Sequence, residues 1–530
     1  VDVVRRGRNA VLQLIVRTFL MRGISVLGTI VLARLLMPAD FGVFAVLVLW
    51  IAVLTQLGEF GLGASLVQQA HDPTPDELST VWVTQQLIWI PVVAVVWLLA
   101  PLVTQAFPGL GSDFEWQLRA ISLTLVLSGF RAVPSAMLSR ELRFGALSAA
   151  EVSQHLAFYS VAVVLAISGF GSWSFVVAVL AQWLLGTILV NLAWRRFPGF
   201  RFRPQIARRQ LRFGATYQAS TLIGVSSTAV ISVFGGLAGG VAAIGQLQFA
   251  SRVGQLAAFF DEIIGRVTFP AFSRLQHDPE RLGRVVRDSI LVAMLGVAAT
   301  QGWVIAVANS LVPQVFGQQW TPAIGALQLL CLGTMAMIPL RFLRSLLLGL
   351  GRGREALLLI AATVAVLFIA FPFCVLAFGI PGGGLAFVLA STSGLTLHAR
   401  AVRRDVPPLW GALVRILLLV LPPALAAWLV SEWLPGFLGL VVSGLLFLAI
   451  DAALLFTFAR ADLERAWRLV AGSRGSGPPA ASDEDAAAEA AAVPFPGHEL
   501  AASQWPDEVP PAPDALPRQP SQERAATSGT

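Results

Sequence analysis

Four arginines stand where arginine is expensive. Arg22, Arg131, Arg252 and Arg341 fall well inside long apolar runs, and Arg344 follows Arg341 by one turn, nearer the end of its run. In "LIVRTFLMRGISVLGTIVLARLL", Arg17 and Arg34 lie near the ends, where a long side chain reaches the interface. Arg22 lies eight residues in, about 12 Å at ~1.5 Å per residue, toward the middle of a ~30 Å hydrocarbon layer. A cation at that depth costs at least ~2.5 kcal/mol on an insertion scale unless something compensates it. Two chemistries do so. One is a wet cavity that receives anions, for which the guanidinium fork suits paired oxygens. The other is an ion pair that locks helices together. Glu59, at a depth between Arg17 and Arg22, is a ready partner for either, as Asp261 or Glu262 is for Arg266. His155 lies one turn from Glu151, but no second ligand pair accompanies them, so they read as a polar pair rather than a metal site or proton relay.

Other constellations carry less. The "GIPGGG" run at 379–384 lacks the Lys and Ser/Thr of a phosphate loop and reads as a chain reversal. Cys331 and Cys374 both fall in apolar runs, which predicts buried free thiols, not a disulfide or metal site. No Ser-His-Asp arrangement or carboxylate pair stands in a water-accessible domain. The sequence therefore implies no catalytic residue, no metal and no cofactor.

The elements that must position these arginines follow from composition. Of 530 residues, 56% are hydrophobic and 13% charged, against roughly 25% charged in soluble proteins. This is a polytopic membrane protein. Apolar runs bounded by Pro, Gly or charge predict fourteen spans: 14–36, 41–66, 79–102, 116–138, 149–168, 171–193, 213–235, 240–264, 287–309, 322–349, 356–378, 382–398, 412–431 and 436–458. The "VDVVRRGR" start leads straight into a span, with no small-residue cleavage site of a signal peptide. All basic residues are arginine. They concentrate in loops after even-numbered spans, such as "RRFPGFRFRPQIARRQLR" and "GRGRE", and are absent from loops after the third, fifth, seventh, ninth, eleventh and thirteenth. The positive-inside rule then places the even loops and both termini in the cytoplasm. One even loop, "QQAHDPTPDEL", is acidic instead, and acidic residues count little in that rule. The net charge of +7 is scattered between spans and builds no nucleic-acid surface. Residues 471–530, rich in Ala, Pro and Ser with an acidic excess, predict a disordered cytoplasmic tail.

Two halves echo one another. Asp72-Pro73 answers Asp278-Pro279, and Arg131 answers Arg341, at offsets of 206 and 210 residues. A near-constant offset across six spans predicts an all-α fold of two six-helix lobes, 1–194 and 213–398, joined by an Arg-rich linker, 195–212. Two further helices at 399–470 precede the tail. Because six is even, both lobes enter the membrane in the same direction, related by a pseudo-two-fold along its normal.

With that arrangement in view, "LARLLMPADFGVFAVLVLW" followed by "QLGEFGLGASLVQ" resembles the amino-terminal pattern of Wzx-type polysaccharide flippases, lipopolysaccharide and exopolysaccharide exporters of the multidrug/oligosaccharidyl-lipid/polysaccharide superfamily. "SRELRFGALSAAEV", "RFGATYQAS", "VTFPAFSRLQHDPERL", "QQWTPAIGALQLL" and "LRSLLLGLGRGRE" look like further family segments, so the resemblance covers roughly residues 10–400. It departs at "STLIGVSSTAVISVFGG", where the family often has Asn and Asp; no acidic or cation-linked role carries over to that helix. The resemblance implies a central cavity opening alternately to each side of the bacterial cytoplasmic membrane. It implies as substrate an oligosaccharide on a polyprenyl pyrophosphate carrier, and as pathway partners a polysaccharide polymerase and glycosyltransferases. Arg22, Arg131, Arg252, Arg341 and Arg344 become candidate pyrophosphate ligands, and Glu59 a candidate ion-pair or coupling residue. Rival readings are an ion-coupled multidrug-type exporter, a lipid II flippase, and a membrane glycosyltransferase or ligase. The short outer loops leave that last class no room for catalytic carboxylates.

Overall fold

The computed structural model describes residues 20–58, 62–69, 71–106, 109–211, 229–256, 279–406, 408–434 and 436–458. Among them every regular element is helical, as lipid demands of a spanning chain whose backbone must satisfy itself. The helices are α1 (20–35), α2 (Pro38–Gly58), α3 (Leu62–Gln68), α4 (Pro75–Ala106), α5 (Phe114–Arg140), α6 (Phe144–Ile167), α7 (Trp173–Trp194) and α8 (204–211). They continue with α9 (229–234), α10 (Val241–Leu256), α11 (Pro279–Leu311), α12 (Ile324–Gly349), α13 (Gly353–Phe378), α14 (Ile380–Ala401), α15 (Trp410–Trp433) and α16 (Phe437–Phe458). Eleven are long and apolar enough to cross a membrane, which makes the chain a multi-pass membrane protein. The first, seventh and eighth predicted spans run partly outside the described residues. The second is two helices, α2 and α3, with Glu59 between them and outside the described residues. The tail lies outside them as well.

Helices α2 to α7 pack on one another, α10 to α14 do the same, α15 and α16 pack on each other and on α11, and α2 packs along α10 to join the first two groups. Corresponding helices of the two large groups begin at constant spacing. Pro38 and Val241, Pro75 and Pro279, Phe114 and Ile324, Phe144 and Gly353, and Trp173 and Ile380 lie 203, 204, 210, 209 and 207 residues apart.

The correspondence between the two groups reaches single hydrogen bonds. At the end of α5, the backbone N–H groups of Glu141, Leu142 and Arg143 donate to the carbonyls of Met137, Ser139 and Leu138 at 2.8, 3.1 and 2.9 Å. At the end of α12, those of Leu350, Gly351 and Arg352 donate to Leu346, Leu348 and Leu347 at 2.9, 3.0 and 2.9 Å. This is a helix stop built on one left-handed residue. Each arginine then opens the next helix and reaches across to the last turn of the one after. Arg143 Nη2 donates to the Ala193 carbonyl at 3.0 Å, and Arg352 Nη2 to the Ala401 carbonyl at 3.2 Å. A cation there meets orphan carbonyls and the negative end of a helix dipole.

The left-handed residue is Gly351 (φ +74°) in one half and Leu142 (φ +54°) in the other. A side chain in that region costs roughly 1–2 kcal/mol. Leu142→Gly is therefore expected to raise the thermal unfolding midpoint in detergent. Gly351→Ala, with open space around its Cβ, is expected to lower it by a similar amount, about 1 kcal/mol. Opposite signs at the two sites are the check.

The dissenting acidic loop now has an explanation. Thr74 and Glu77 form a capping box at the start of α4, the Thr74 N–H donating to Glu77 Oε2 at 2.9 Å and the Glu77 N–H to Thr74 Oγ1 at 3.3 Å, with Pro75 at the first helical position. Arg209 donates to Glu77 at 2.8 Å, Arg203 Nε to Asp76 at 2.6 Å and Arg201 to Asp76 at 3.2 Å. Arg140 donates to the Gln69 and His71 carbonyls at 2.8 and 2.9 Å and pairs with Asp72 at 3.2 Å. Asp72, Asp76 and Glu77 thus all meet arginines from neighbouring segments at the same end of the bundle.

Candidate functional site: the cleft between the halves

The apolar cores show where a site can lie. At the end of the bundle whose loops lack arginine, one core joins both halves. It runs through Leu32, Phe41, Leu47, Phe114 and Phe175 of the first half and Leu247, Phe249, Phe316, Trp320, Ala326 and Phe371 of the second. At the arginine-rich end there are two separate cores. One gathers Leu62, Trp82, Val133, Leu138 and Trp194; the other gathers Leu282, Ile290, Leu343, Leu395 and Phe447. Among the described residues the halves share a core at one end and have separate cores at the other.

The fused end is built for close approach. On α2, Gly42 faces the Val241 carbonyl of α10, and on α10, Gly245 faces the Pro38 carbonyl of α2; a Cβ on either would collide with backbone. The last turn of α1 leaves an orphan carbonyl on Ala33. Gln319 Nε2 and Trp320 Nε1 donate to it at 2.7 and 2.8 Å. Arg34 answers by donating to the Gln314 and Val315 carbonyls, the latter at 2.8 Å. Trp320 is fully buried, edge-on to Phe41 at 4.9 Å and stacked on Phe249 at 4.3 Å. All these bonds cross from one half to the other. From sequence the loop after the ninth predicted span was read only as lacking arginine, and these bonds were missed; the Trp and glutamines beside helix ends were the available signal.

Arg252 sits where the core divides. It lies eleven residues into α10, about 16 Å from Val241, and its guanidinium Cζ is 5.9 Å from the Phe44 ring of α2. Phe44 stacks on Phe175 at 4.4 Å. Tyr159 of α6 is within electrostatic reach, and its ring fills the space above Gly28 of α1. Arg252 is surrounded by protein and yet exposed, as a group lining a wet cavity would be. Among the described residues it makes no ion pair.

The other candidates take different places. Arg22 is half-buried on α1, thirteen residues before the helix end, about 20 Å from the fused end. Its pairing with Glu59 lies outside the described residues, as do Asp261, Glu262 and Arg266. Arg131 and Arg341 are each seventeen residues, about 25 Å, into α5 and α12. Arg131 is half-buried and held within the first half: Nη1 donates to Gln154 Oε1 at 2.9 Å, the Trp183 ring lies at 5.8 Å, and Glu151 is within electrostatic reach. His155 Nδ1 lies 3.1 Å from the Glu151 backbone carbonyl. Arg341 is exposed, and Arg344, half-buried, lies near His398 of α14.

Cys331 and Cys374 are unpaired, and no cluster of metal-ligating side chains occurs among the described residues. Sequence reasoning passed over Asp451, a buried carboxylate in the apolar run of α16 that makes no hydrogen bond or ion pair among the described residues. It also passed over the buried glutamines Gln86, Gln154, Gln246 and Gln301.

Comparison with known proteins fits this architecture. The chain is 28% identical over 325 residues to the lipopolysaccharide biosynthesis protein WzxC of Escherichia coli K12, covering 60% of this chain and 64% of that one. It is 27% identical over 336 residues to the succinoglycan biosynthesis transport protein ExoT of Rhizobium meliloti, covering 62% and 67%. The match thus spans a little under two thirds of WzxC. Among solved structures, the inward closed lipid II flippase MurJ superposes with a TM-score of 0.67 at 14% identity, covering 85% of this chain and 99% of that one. An inward-facing multidrug resistance transporter of the MATE family gives 0.57 at 15% identity, covering 77% and 98%. At such identities the likeness is one of fold. The model of a family described as "polysaccharide biosynthesis protein" matches residues 31–325, more than half of the sequence, and the chain belongs to that family.

Proposed function

We propose that the protein is a flippase of the bacterial cytoplasmic membrane that moves an oligosaccharide on a polyprenyl pyrophosphate carrier from the inner to the outer leaflet by alternating access, without catalysis. The observation that carries this reading is the division of the core. Among the described residues the halves share one core at one end and have separate cores at the other, and Arg252, which makes no ion pair among them, stands where the shared core ends. A dianionic pyrophosphate entering such a cleft would meet Arg341, Arg344 and Arg131 first, then Arg22, then Arg252. The guanidinium fork of Arg252 suits paired phosphate oxygens, and among the described residues it makes no ion pair that would compete. Protein relatives involved in lipopolysaccharide and succinoglycan synthesis support the substrate class. The constant helix offsets support two six-helix lobes with a pseudo-two-fold along the membrane normal, fourteen spans in all, and the arginine-rich end with both termini in the cytoplasm. The structure then represents the inward-facing state, its outer end closed.

The test is translocation in proteoliposomes. A lipid-linked oligosaccharide loaded in one leaflet should become accessible to a membrane-impermeant sugar oxidant or lectin on the opposite side, while lipid II and lipophilic cations should not be moved faster than in empty liposomes. Extrusion of the cations without oligosaccharide movement would replace this reading with the multidrug-type one.

Orientation has its own check. In a Cys331→Ala/Cys374→Ala background, cysteines replacing Ser112 and Gln318, both exposed, should react with an impermeant maleimide from outside the cell. Those replacing Arg196 and Arg403, also exposed, should react only after the inner face is opened. The reverse pattern would invert the molecule.

A further inference from the structure

We propose that the linker between α7 and α8 is a binding site for the headgroup of an anionic phospholipid of the bilayer. The segment 195–209 carries six arginines. Three are engaged in holding it down: Arg201 and Arg203 on Asp76, and Arg209 on Glu77. The Ser79 hydroxyl donates to the Pro198 carbonyl, and the Arg203 N–H donates to Thr80 Oγ1 at 3.2 Å, so the loop is pinned to the first turns of α4. The guanidinium groups of Arg195, Arg196 and Arg208 are exposed and make no hydrogen bond or ion pair among the described residues. A fixed loop with three unspent cations is a preorganised anion receptor.

What sets its ligand apart from a free anion is the company those cations keep. Phe197 and Phe200 are 61% and 75% exposed, each packing its edge on Trp82 at 5.4 Å, and Phe130 meets the same indole at 5.4 Å. Trp82 lies seven residues into α4, about 10 Å along its axis. The apolar span of α4 has 31 residues, about 46 Å, and overhangs a ~30 Å hydrocarbon layer by about 8 Å at each end. The aromatic patch therefore lies at the border of the acyl chains, where aromatic rings anchor proteins, with the free arginines at headgroup level. Rings among the chains and guanidinium groups among the phosphates fit a lipid that carries net negative charge.

Native mass spectrometry of the full chain titrated with phosphatidylglycerol tests this. Replacing Arg195, Arg196 and Arg208 with Gln should weaken binding of the first phosphatidylglycerol at least fivefold. Arg403→Gln/Arg404→Gln, which removes two exposed arginines from another loop at the same end, should leave it within twofold of the parent. Phosphatidylcholine should bind all three proteins equally weakly, and glycerol 3-phosphate should not compete. Equal loss in both arginine variants, no loss in the first, or full competition by glycerol 3-phosphate would each overturn the site, the last by making it a receptor for free anions. If the triple variant is recovered only as aggregate, Phe197→Ser/Phe200→Ser, which keeps every arginine, carries the test: undiminished retention of phosphatidylglycerol overturns the proposal.

Discussion

An Arg252→Ala protein is expected to be made, inserted and purified in normal amounts, and to translocate the proposed lipid-linked substrate at a tenth to a hundredth of the parent rate under subsaturating conditions. The two halves of that expectation rest on different facts. Folding survives because Arg252 makes no ion pair among the described residues, so its removal strands no buried carboxylate; breaking a buried pair would instead cost several kcal/mol. Transport falls because a charge-assisted contact to phosphate contributes about 1.5–3 kcal/mol, one to two powers of ten in affinity. Arg252→Lys should recover part of the activity, keeping the charge while losing the fork. Arg131→Ala makes the contrast. It takes a donor from Gln154 and a cation from beside Glu151, and should lower the thermal midpoint before it touches transport. Measuring midpoint and initial rate on both variants decides. A collapsed midpoint in Arg252→Ala with the residual protein fully active would assign Arg252 to structure.

Gly245→Leu is expected to abolish transport altogether, by a different route. At this position α10 lies so close to the Pro38 carbonyl that even a methyl group collides with backbone, and Gly42 makes the reciprocal contact with Val241. Neither neighbour is a flexible side-chain tip that could swing aside, so the two helices must separate. The shared core should then open at the arginine-poor end. Ala250, fully buried there in the parent, reports it. A cysteine at 250, in a background lacking Cys331 and Cys374, should resist an impermeant maleimide in the parent and react from outside in Gly245→Leu. Arg34→Ala/Gln319→Ala, which removes bonds across the same seam without adding bulk, should give partial labelling and reduced, not absent, transport. Protection of residue 250 in both variants would mean that this seam does not hold the outer end closed.

Much of the fold was readable because lipid leaves a chain few options. The predicted spans 171–193 and 436–458 became Trp173–Trp194 and Phe437–Phe458, and 382–398, the shortest, became Ile380–Ala401. Arg131 and Arg341, on which the expected repeat was built, each lie seventeen residues into their helices. A closer correspondence was hidden. Arg143 and Arg352 make the same bonds at 209 residues' distance, but Leu142 and Gly351 beside them share no chemistry, only a backbone angle that no side chain announces. The candidate site was legible as a set of costly charges and no further. Helical periodicity gives the face on which an arginine stands but not what that face meets. Arg131 turned toward Gln154 and Trp183 inside its own half, while Arg252 turned toward Phe44 of the other. The acidic loop dissented from the charge rule for a reason that only three dimensions supply: its neutralising arginines come from positions 140, 201, 203 and 209.

A bundle fused at one end behaves as a pair of levers. From Cys331, among the last residues of α12 in the shared core, the helix runs another eighteen residues to Gly349, an arm of about 27 Å. A tilt of about 10° swings the tip of that arm by about 5 Å. Opposed tilts of both halves move their tips apart by nearly a helix diameter with every helix intact. Displacement grows with distance from the fulcrum. Under such a tilt Arg341 and Arg344, far out on the arm, would travel with its tip, while Arg252, close to the shared core, would hardly move. A headgroup held there would stay at rest while the walls change sides around it, so the stroke would do little work against the charge it carries.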